Sequence, residues 1–415
     1  MTAHTSRPCL SLRRLPLALV AGLAALLPLS ASAVADFSDG QLDAHRLGSV
    51  GAPSVNFADF ADGQVFFNLT ALGEYNSNIT LNSSELSDWE WQLTPELEYL
   101  HKKGVLTLEF DAGVLVDLFN KDTHDDAENP YTKLSLNWAE DGGKSSLDLT
   151  ASARRDTEPN QFINTIATSD DYNLSAAFAH HLTEKFGYRV HADFNGSAYN
   201  ASTGFDSTYT PSVGLDAFYQ YSPKLESFLN YTYRWTNLSY AAAGQTDVNS
   251  RDQRLAVGLK GDLLTKLTGN VTVGFVQRRF DVGGDEHGAL FADTSVDWNY
   301  LEKCNVTVFA NHDFSTSPGD QSVTAFTTGL EFTEDVTEKI TLGQRLAYGN
   351  SIFAGGTDIV TARSDNTDTL NLRASYKFTD LISSNLFFTY QKARSTEAAS
   401  SFNQTVIGMS VTAKF

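Results

Sequence analysis

SFNQTVIGMSVTAKF, residues 401–415, alternates apolar residues with small or polar ones along its second half. The apolar set is Ile407, Met409, Val411, Ala413 and Phe415. Because successive side chains of a β-strand point to opposite faces, one face would contact an apolar medium and the other would contact water. The stretch therefore predicts a half-exposed strand that finishes on an aromatic residue.

The opposite end of the chain has the pattern of an export signal. Three arginines precede an apolar run at residues 15–29, and small residues follow it. This order predicts a cleaved signal peptide over 1–35, with cleavage after Ala35 or, alternatively, after Ala33. The run is shorter than the about 20 apolar residues of a spanning helix, and two prolines interrupt it. A membrane anchor is therefore disfavoured.

Composition and charge fit an exported barrel. Hydrophobic residues make up 41% of the chain, with 27 Phe and 16 Tyr, yet the mean hydropathy is −0.24. Barrel strands show this combination because only alternate side chains meet lipid. The net charge of −20 argues against a nucleic-acid partner, since phosphate contacts need Lys and Arg.

Alternating segments recur from about residue 64 to the end. They predict about 18 strands, and splitting or merging one hairpin would give 16 or 20. Short and long connections follow each other in turn, and the long ones are predicted at 76–88, 117–130, 155–169, 198–207, 239–250, 281–287, 316–320, 351–365 and 395–401. We therefore predict an all-β, transmembrane, antiparallel up-and-down barrel over 64–415, with short periplasmic turns and longer extracellular loops. Residues 36–63 lack the alternation and are expected to form a periplasmic tail.

The same alternation predicts which side chains line the lumen. Acidic residues point inward on the first three predicted strands, and basic residues do so on the ninth to eleventh strands, on the opposite side of the ring. An acidic wall facing a basic wall would create a transverse field that orients polar solutes. The alternative is that inward charges only keep the lumen wet. The candidate pore-lining residues are Glu90, Glu96, Glu98, Glu109, Asp111, Arg234, Arg254, Lys260, Arg278 and Arg373.

No enzyme, metal centre or cofactor is predicted. The histidines do not form H-E-x-x-H, and G-x-S-x-G does not occur. Cys304 is the one cysteine expected after signal cleavage, so neither a disulfide nor a cysteine metal cluster is expected. Acidic clusters at 122–128 and 281–286 do not match the EF-hand spacing. We interpret them as solvated loop charge, with weak divalent bridging to lipopolysaccharide phosphates as the alternative.

Two short stretches near the start of the predicted barrel match a known pattern. Residues 71–79 read ALGEYNSNI, Ser87 and Asp88 follow, and residues 93–99 read LTPELEY. With the last strand ending in Phe415, they resemble a family of outer-membrane beta-barrel porins associated with exopolysaccharide loci. The resemblance implies a barrel in the bacterial outer membrane and polysaccharide as one candidate cargo. Phe415 resembles the residue by which such barrels are recognised for insertion.

The expected function is a porin-like channel for passive diffusion of hydrophilic solutes, with a link to polysaccharide export that rests on the resemblance. The alternative is a plugged structural or binding barrel that anchors or guides a secreted polysaccharide without opening. The expected partners are outer-membrane lipid and lipopolysaccharide, the barrel-assembly machinery, and small hydrophilic solutes or polysaccharide. The solute and the oligomeric state are left open by the sequence.

Overall fold

Eighteen antiparallel strands and one short additional strand form a single sheet in the computed structural model of the chain. The structure describes residues 58–60, 62–122, 124–140, 142–200, 204–239, 249–281, 286–318, 322–354 and 363–415. The strands are β1 (Ala58–Phe60), β2 (Gly63–Asn76), β3 (Asp88–Lys103), β4 (Leu106–Phe119), β5 (Ala127–Ala139), β6 (Ser145–Asn160), β7 (Thr165–His181), β8 (Phe186–Tyr199), β9 (Ser207–Ser222), β10 (Leu225–Ser239), β11 (Ser250–Leu264), β12 (Leu267–Phe280), β13 (Glu286–Leu301), β14 (Cys304–Thr316), β15 (Ser322–Asp335), β16 (Ile340–Ala354), β17 (Arg363–Lys377), β18 (Ile382–Ser395) and β19 (Phe402–Lys414). One 3-10 helix, Ala398–Ser400, precedes β19.

Strands β2 to β19 close into a barrel. Each of them pairs with the next along the chain, and β19 pairs with β2 from Val406↔Asn76 to Lys414↔Asn68. The predicted barrel of about 18 strands is confirmed. Among the described residues, no helix is long and apolar enough to cross a bilayer.

The strands are long enough to cross a bilayer and extend beyond it. They contain 13 to 17 residues each, whereas about 9–11 suffice for a tilted spanning strand. Apolar side chains on the outer face form a continuous belt across neighbouring strands, for example Leu229, Val257 and Val273, which pair in register and are all exposed. An exposed apolar belt of this kind is typical of the outer face of a membrane barrel.

The two ends of the barrel differ in the length of their connections. At one end, called here the short-turn end, strands are joined by turns such as 104–105 and 265–266. The other, the long-loop end, carries longer connections, for example 77–87. The predicted boundaries shift at several points. The largest correction concerns the long connection expected at 155–169, because β6 and β7 continue through most of it and leave only 161–164 as a turn.

Some sequence predictions concern residues outside the described ranges. The predicted signal peptide and most of the tail at 36–63 lie there, as do residues 282–285 of the second acidic cluster. Of the predicted tail, Ala58–Phe60 forms β1, which pairs with the first residues of β2.

The upper part of β14 leaves the wall and leans into the lumen. Pairing between β13 and β14 stops at Ala292↔His312, while β14 remains paired with β15 as far as Thr316↔Ser322. Phe314 therefore packs inside the barrel in a buried cluster with Ala256, Val276 and Phe291. Apolar packing at this end thus lies within the lumen.

The tip of the β6–β7 hairpin, residues 160–164 and called here the crossing tip, spans the lumen. The Phe162 ring contacts the Phe353 ring of β16 at 5.8 Å between centroids. Arg363 of β17 donates from Nη1 to the Phe162 carbonyl at 3.2 Å. On a neighbouring side, Asn164 donates from Nδ2 to the Leu81 carbonyl in the β2–β3 loop at 2.7 Å. Since β16 and β17 lie across the ring from β6 and β7, the crossing tip divides the long-loop end in two.

Candidate functional site in the barrel lumen

Two chambers lie on either side of the crossing tip. The larger chamber has a volume of about 390 Å³ and is lined by side chains of β6 to β12 and β14, among them Asp193, Arg254 and Asp313. The smaller chamber has a volume of about 80 Å³ and is lined by β2 to β4, β6 and β17 to β19, including Glu90 and Asp117. Most of the residues that line each chamber are polar, as expected for the inner face of a membrane barrel.

Two of the predicted basic residues lie in the larger chamber within ion pairs. Arg278 is fully buried, and its Nε and Nη2 donate to the two carboxylate oxygens of Asp252 at 2.8 and 2.9 Å. Arg234 donates from Nε to Asp252 at 2.8 Å and from Nη1 to Asp313 at 3.0 Å. Charged hydrogen bonds of this bidentate kind are short and directional. The positive charge expected on this wall is therefore largely offset by Asp252 and Asp313.

The leaning β14–β15 hairpin supplies further contacts to the same guanidinium groups. Arg278 donates from Nη1 to the Ser315 carbonyl at 2.8 Å and to the Ser322 hydroxyl at 2.9 Å. Its guanidinium carbon also lies 4.9 Å from the centroid of the Phe314 ring. These bonds hold the hairpin against β11 and β12. Arg278 and Arg234 therefore fix the position of the hairpin as well as line the larger chamber.

Arg254 differs from its two neighbours. It donates from Nη2 to Thr232 at 3.1 Å, and its guanidinium lies over the Phe291 ring at 4.2 Å. Among the described residues, no carboxylate lies within ion-pair distance of it, and its buried Nε has no hydrogen-bond partner. Arg254 is therefore the member of the predicted basic group that keeps its charge available to the chamber.

The predicted acidic residues separate into two levels. Glu90 lies in the smaller chamber with Asp117, and both side chains are buried. Closer to the short-turn end, Glu96 accepts hydrogen bonds from Asn68 at 2.7 Å and from Tyr131 at 2.6 Å. The upper level, which contains Glu90, thus borders the crossing tip. The lower level, which contains Glu96, lies closer to the short-turn end.

Basic side chains from flanking strands reach the lower acidic level. Lys414 of β19 forms an ion pair with Glu98 at 2.6 Å. Lys133 of β5 occupies the position opposite Asp111 in the β4–β5 ladder, and Glu109 is opposite Ser135. The acidic group therefore retains a net negative charge but has bases at both edges.

The remaining candidates lie elsewhere on the inner face. Arg373 donates to Glu331 at 3.1 Å and to Thr333 at 3.4 Å. Gly343 makes this path possible, because a Cβ at that position would lie 2.2 Å from Arg373 Nε. Lys260 is exposed near the short-turn end, opposite Asn270 in the β11–β12 ladder. Neither residue is part of the lining of the two chambers at the long-loop end.

The sequence does not identify the residues whose contacts shape the long-loop end of the barrel. Phe162 and Arg363 were assigned to long connections, where strand alternation gives no information about contacts. Asp313 was assigned to a strand, but its pairing with Arg234 depends on the inward lean of β14. The aromatic and arginine residues near predicted strand ends were a usable signal, since both side-chain types often anchor a loop against a wall.

The sequence profile of the family described as "Putative beta-barrel porin 2" matches residues 65–415. The chain belongs to this family. The match confirms the family resemblance and, with the closed antiparallel sheet, the outer-membrane location. The association with exopolysaccharide loci stays a prediction.

The solved structures that are similar to this porin-family chain share little sequence identity with it. OpdK from Pseudomonas aeruginosa, solved with vanillate, is 10% identical over 85% of this chain and 99% of its own, with a TM-score of 0.45. OccAB3 from Acinetobacter baumannii is 12% identical over 86% and 100%, with a TM-score of 0.43. The FrpB iron transporter from Neisseria meningitidis is 10% identical over 79% of this chain, with a TM-score of 0.44, and the match spans 62% of that transporter. No curated protein matches the sequence.

Proposed function

We propose that this porin-family barrel conducts small hydrophilic solutes passively across the outer membrane. The observation that carries the proposal is the larger chamber, whose lining combines hydroxyl, amide, carboxylate and guanidinium groups within one cavity of about 390 Å³. Such a lining replaces the hydrogen bonds that a polar solute loses when it leaves water, whereas an apolar solute gains nothing from it. Passive conduction involves no chemical step, so the proposed role is that of a channel and not of an enzyme.

Planar-bilayer recording tests this proposal. Purified barrel should insert with steady open conductance steps, and the current should fall reversibly when a neutral sugar of increasing size is added to one side. The control is a mock preparation from cells lacking the protein, carried through the same purification. Absence of conductance from protein with intact β-sheet circular dichroism would contradict the proposal.

A second candidate function is supported by the crossing tip. Arg363 donates to the carbonyls of Phe162 and Gln161 at 3.2 and 3.3 Å, and Asn164 donates to the Leu81 carbonyl of the neighbouring β2–β3 loop. A hairpin held at both sides fits a plugged barrel that anchors or guides a secreted polysaccharide at the cell surface. Silent bilayers together with retention of the cell's own polysaccharide on immobilised protein would favour this alternative.

The proposed partners follow from the surfaces. The apolar belt is proposed to contact outer-membrane lipid, and the long-loop end would contact lipopolysaccharide. Assembly is proposed to depend on the barrel-assembly machinery recognising the last strand and Phe415, whose backbone exchanges two hydrogen bonds of 2.8 Å with Phe67. Replacing Phe415 with Ala should lower the folded barrel in outer-membrane fractions, measured by heat-dependent gel mobility. Unchanged levels would remove Phe415 as the signal.

A further inference from the structure

Two acidic side chains on neighbouring strands face the smaller chamber. Glu90 is 6% exposed and Asp117 is 4% exposed, and Asp117 pairs with Gln92, two residues from Glu90, in the β3–β4 ladder. Gln92 donates to Glu90 at 2.5 Å, and Asn129 donates to Asp117 at 2.9 Å. None of the described residues that line this chamber is Lys, Arg or His. Because adjacent buried carboxylates repel each other, the pair requires either a shared proton or a bound cation.

Oxygen atoms without hydrogen-bond partners surround the same chamber. They are Asp117 Oδ1, Gln92 Oε1, Asn371 Oδ1 and Thr369 Oγ1, all buried and none bonded within the described part of the chain. A buried polar atom left without a partner costs about 1–3 kcal/mol. Several such oxygens next to a carboxylate pair favour a ligand that accepts electron pairs, while Gln391 Nε2, an unbonded donor in the same lining, needs a water as its acceptor.

The chemistry of these atoms favours a hard cation. Calcium takes six to eight oxygen ligands from carboxylates, amide carbonyls and water, with flexible geometry. Zinc would need nitrogen or sulfur, and magnesium demands a stricter octahedron. The described residues contain no cluster of three or more Asp, Glu, His or Cys side chains arranged for a metal. The two carboxylates would therefore be completed by neutral oxygens and water.

The size of the chamber fits this ligand set. Its volume of about 80 Å³, counted as space open to the centre of a water molecule, exceeds the about 10–15 Å³ that one water needs on the same measure. A cation with one or two of its waters can therefore be accommodated. Thr157, Glu158 and Gln161 of the β6–β7 hairpin line the same cavity. A cation held there would tie this hairpin to the wall formed by β3 and β4.

We propose that the smaller chamber is a binding site for a calcium-type divalent cation, held between Glu90 and Asp117 with Gln92 and Asn371 as further oxygen ligands. The site goes beyond the proposed channel function and does not depend on it. A plugged barrel could bind the cation equally well, because the ligands belong to the wall and to one hairpin.

Calorimetric titration tests the site. The protein is refolded in detergent without lipopolysaccharide, treated with EDTA, dialysed and titrated with calcium chloride. The wild type should show one saturable site, and Glu90→Gln or Asp117→Asn should weaken it by about tenfold or more, because affinity depends on ligand charge. The matched controls are Asp156→Asn and Asp171→Asn, whose side chains line the larger chamber and form ion pairs with Arg154. These controls should bind calcium like the wild type.

Several results would overturn the proposal. Folded wild type with no saturable calcium binding would mean that Glu90 and Asp117 share a proton. Wild-type affinity in both acidic variants would place the cation elsewhere, for example on the acidic loop at 122–128. Should either variant fail to fold, Asn371→Leu provides the second test, and calcium should raise the unfolding temperature of the wild type more than that of this variant. Bilayer conductance is recorded separately, so failure of the channel proposal would be recognised independently.

Discussion

The larger and smaller chambers are lined by the inner face of the same sheet, but their charged side chains are paired differently. In the larger chamber, Arg234 and Arg278 are bound to Asp252 and Asp313, so most charges meet an opposite charge. In the smaller chamber, the described carboxyl groups lie together without a basic neighbour. Strand alternation makes both linings polar, but the hairpins that lean inward decide which charges are neutralised. The difference separates a self-contained ionic network from a carboxyl pair that needs either a shared proton or the proposed cation.

The largest effect is expected from breaking the ionic network of the larger chamber. Asp252→Ala would leave two buried guanidinium groups without their shared carboxylate, and removing one partner of a buried pair costs about 3–5 kcal/mol. The loss should appear in urea unfolding of vesicle-embedded barrel followed by gel mobility. The control Asp368→Ala removes an exposed partner of Arg394 and should cost below about 1 kcal/mol. Equal losses would show that burial does not distinguish the two pairs.

Releasing the crossing tip should join the two chambers. Arg363→Ala removes two charged hydrogen bonds to the tip, each contributing about 1.5–3 kcal/mol. Since about 1.4 kcal/mol changes an equilibrium tenfold, the displaced tip should become at least about tenfold more populated. Single-channel records should then show larger steps or more frequent transitions than the wild type. Arg394→Ala, at the same end of the barrel, is the matched control, and identical records for both variants would exclude Arg363 as a latch.

A smaller effect is expected at Arg254, in the same chamber as Asp252. Its guanidinium has one hydrogen bond and no described acidic partner, so Arg254→Gln removes a charge whose burial is already costly. We expect a stability change within about 1 kcal/mol, together with a shift of the reversal potential toward cation preference. Arg234→Gln is the comparison, because it leaves Asp313 unpaired and should destabilise more. A large loss of stability in Arg254→Gln would contradict this ranking.

The smallest effect is expected from the lower acidic level. Replacing Glu98, Glu109 and Asp111 with their amides should shift the reversal potential in a salt gradient toward anion preference. Lys414 already offsets part of this charge, and screening over about 8 Å at physiological salt limits the remainder. The shift should decrease as salt rises. An unchanged reversal potential would mean that these side chains lie outside the conducting path.

The sequence predicts the strands of the barrel but not the side-chain contacts at its long-loop end. Period-two alternation depends on each strand alone, so the inward position of Glu98 or Arg278 follows directly from counting residues. The pairing of Arg234 with Asp313 joins residues far apart in sequence, and it forms because β14 separates from β13 above His312. No local pattern marks that separation.

The crossing tip illustrates the same limit. The sequence predicts a long connection at 155–169, yet β6 and β7 run through most of these residues to a four-residue turn at 161–164. Their polar residues face a lumen instead of lipid, so neither face shows the apolar period expected of a spanning strand. Alternation therefore locates the part of each strand in the apolar belt. It does not identify segments that fold into the water-filled lumen.

Strand β1 has a consequence for the bore of the barrel. Gln64 and Val65 pair with β3 on one side, so their pairs with Asp59 and Ala58 must lie on the side of β2 that β19 approaches. Directly above, Phe67 and Phe415 exchange their backbone hydrogen bonds. A closing strand that slipped by two residues toward the short-turn end would have to displace β1. Stagger between strands sets the diameter of a barrel, and this three-residue strand occupies the edge of β2 that a register shifted in this direction would need.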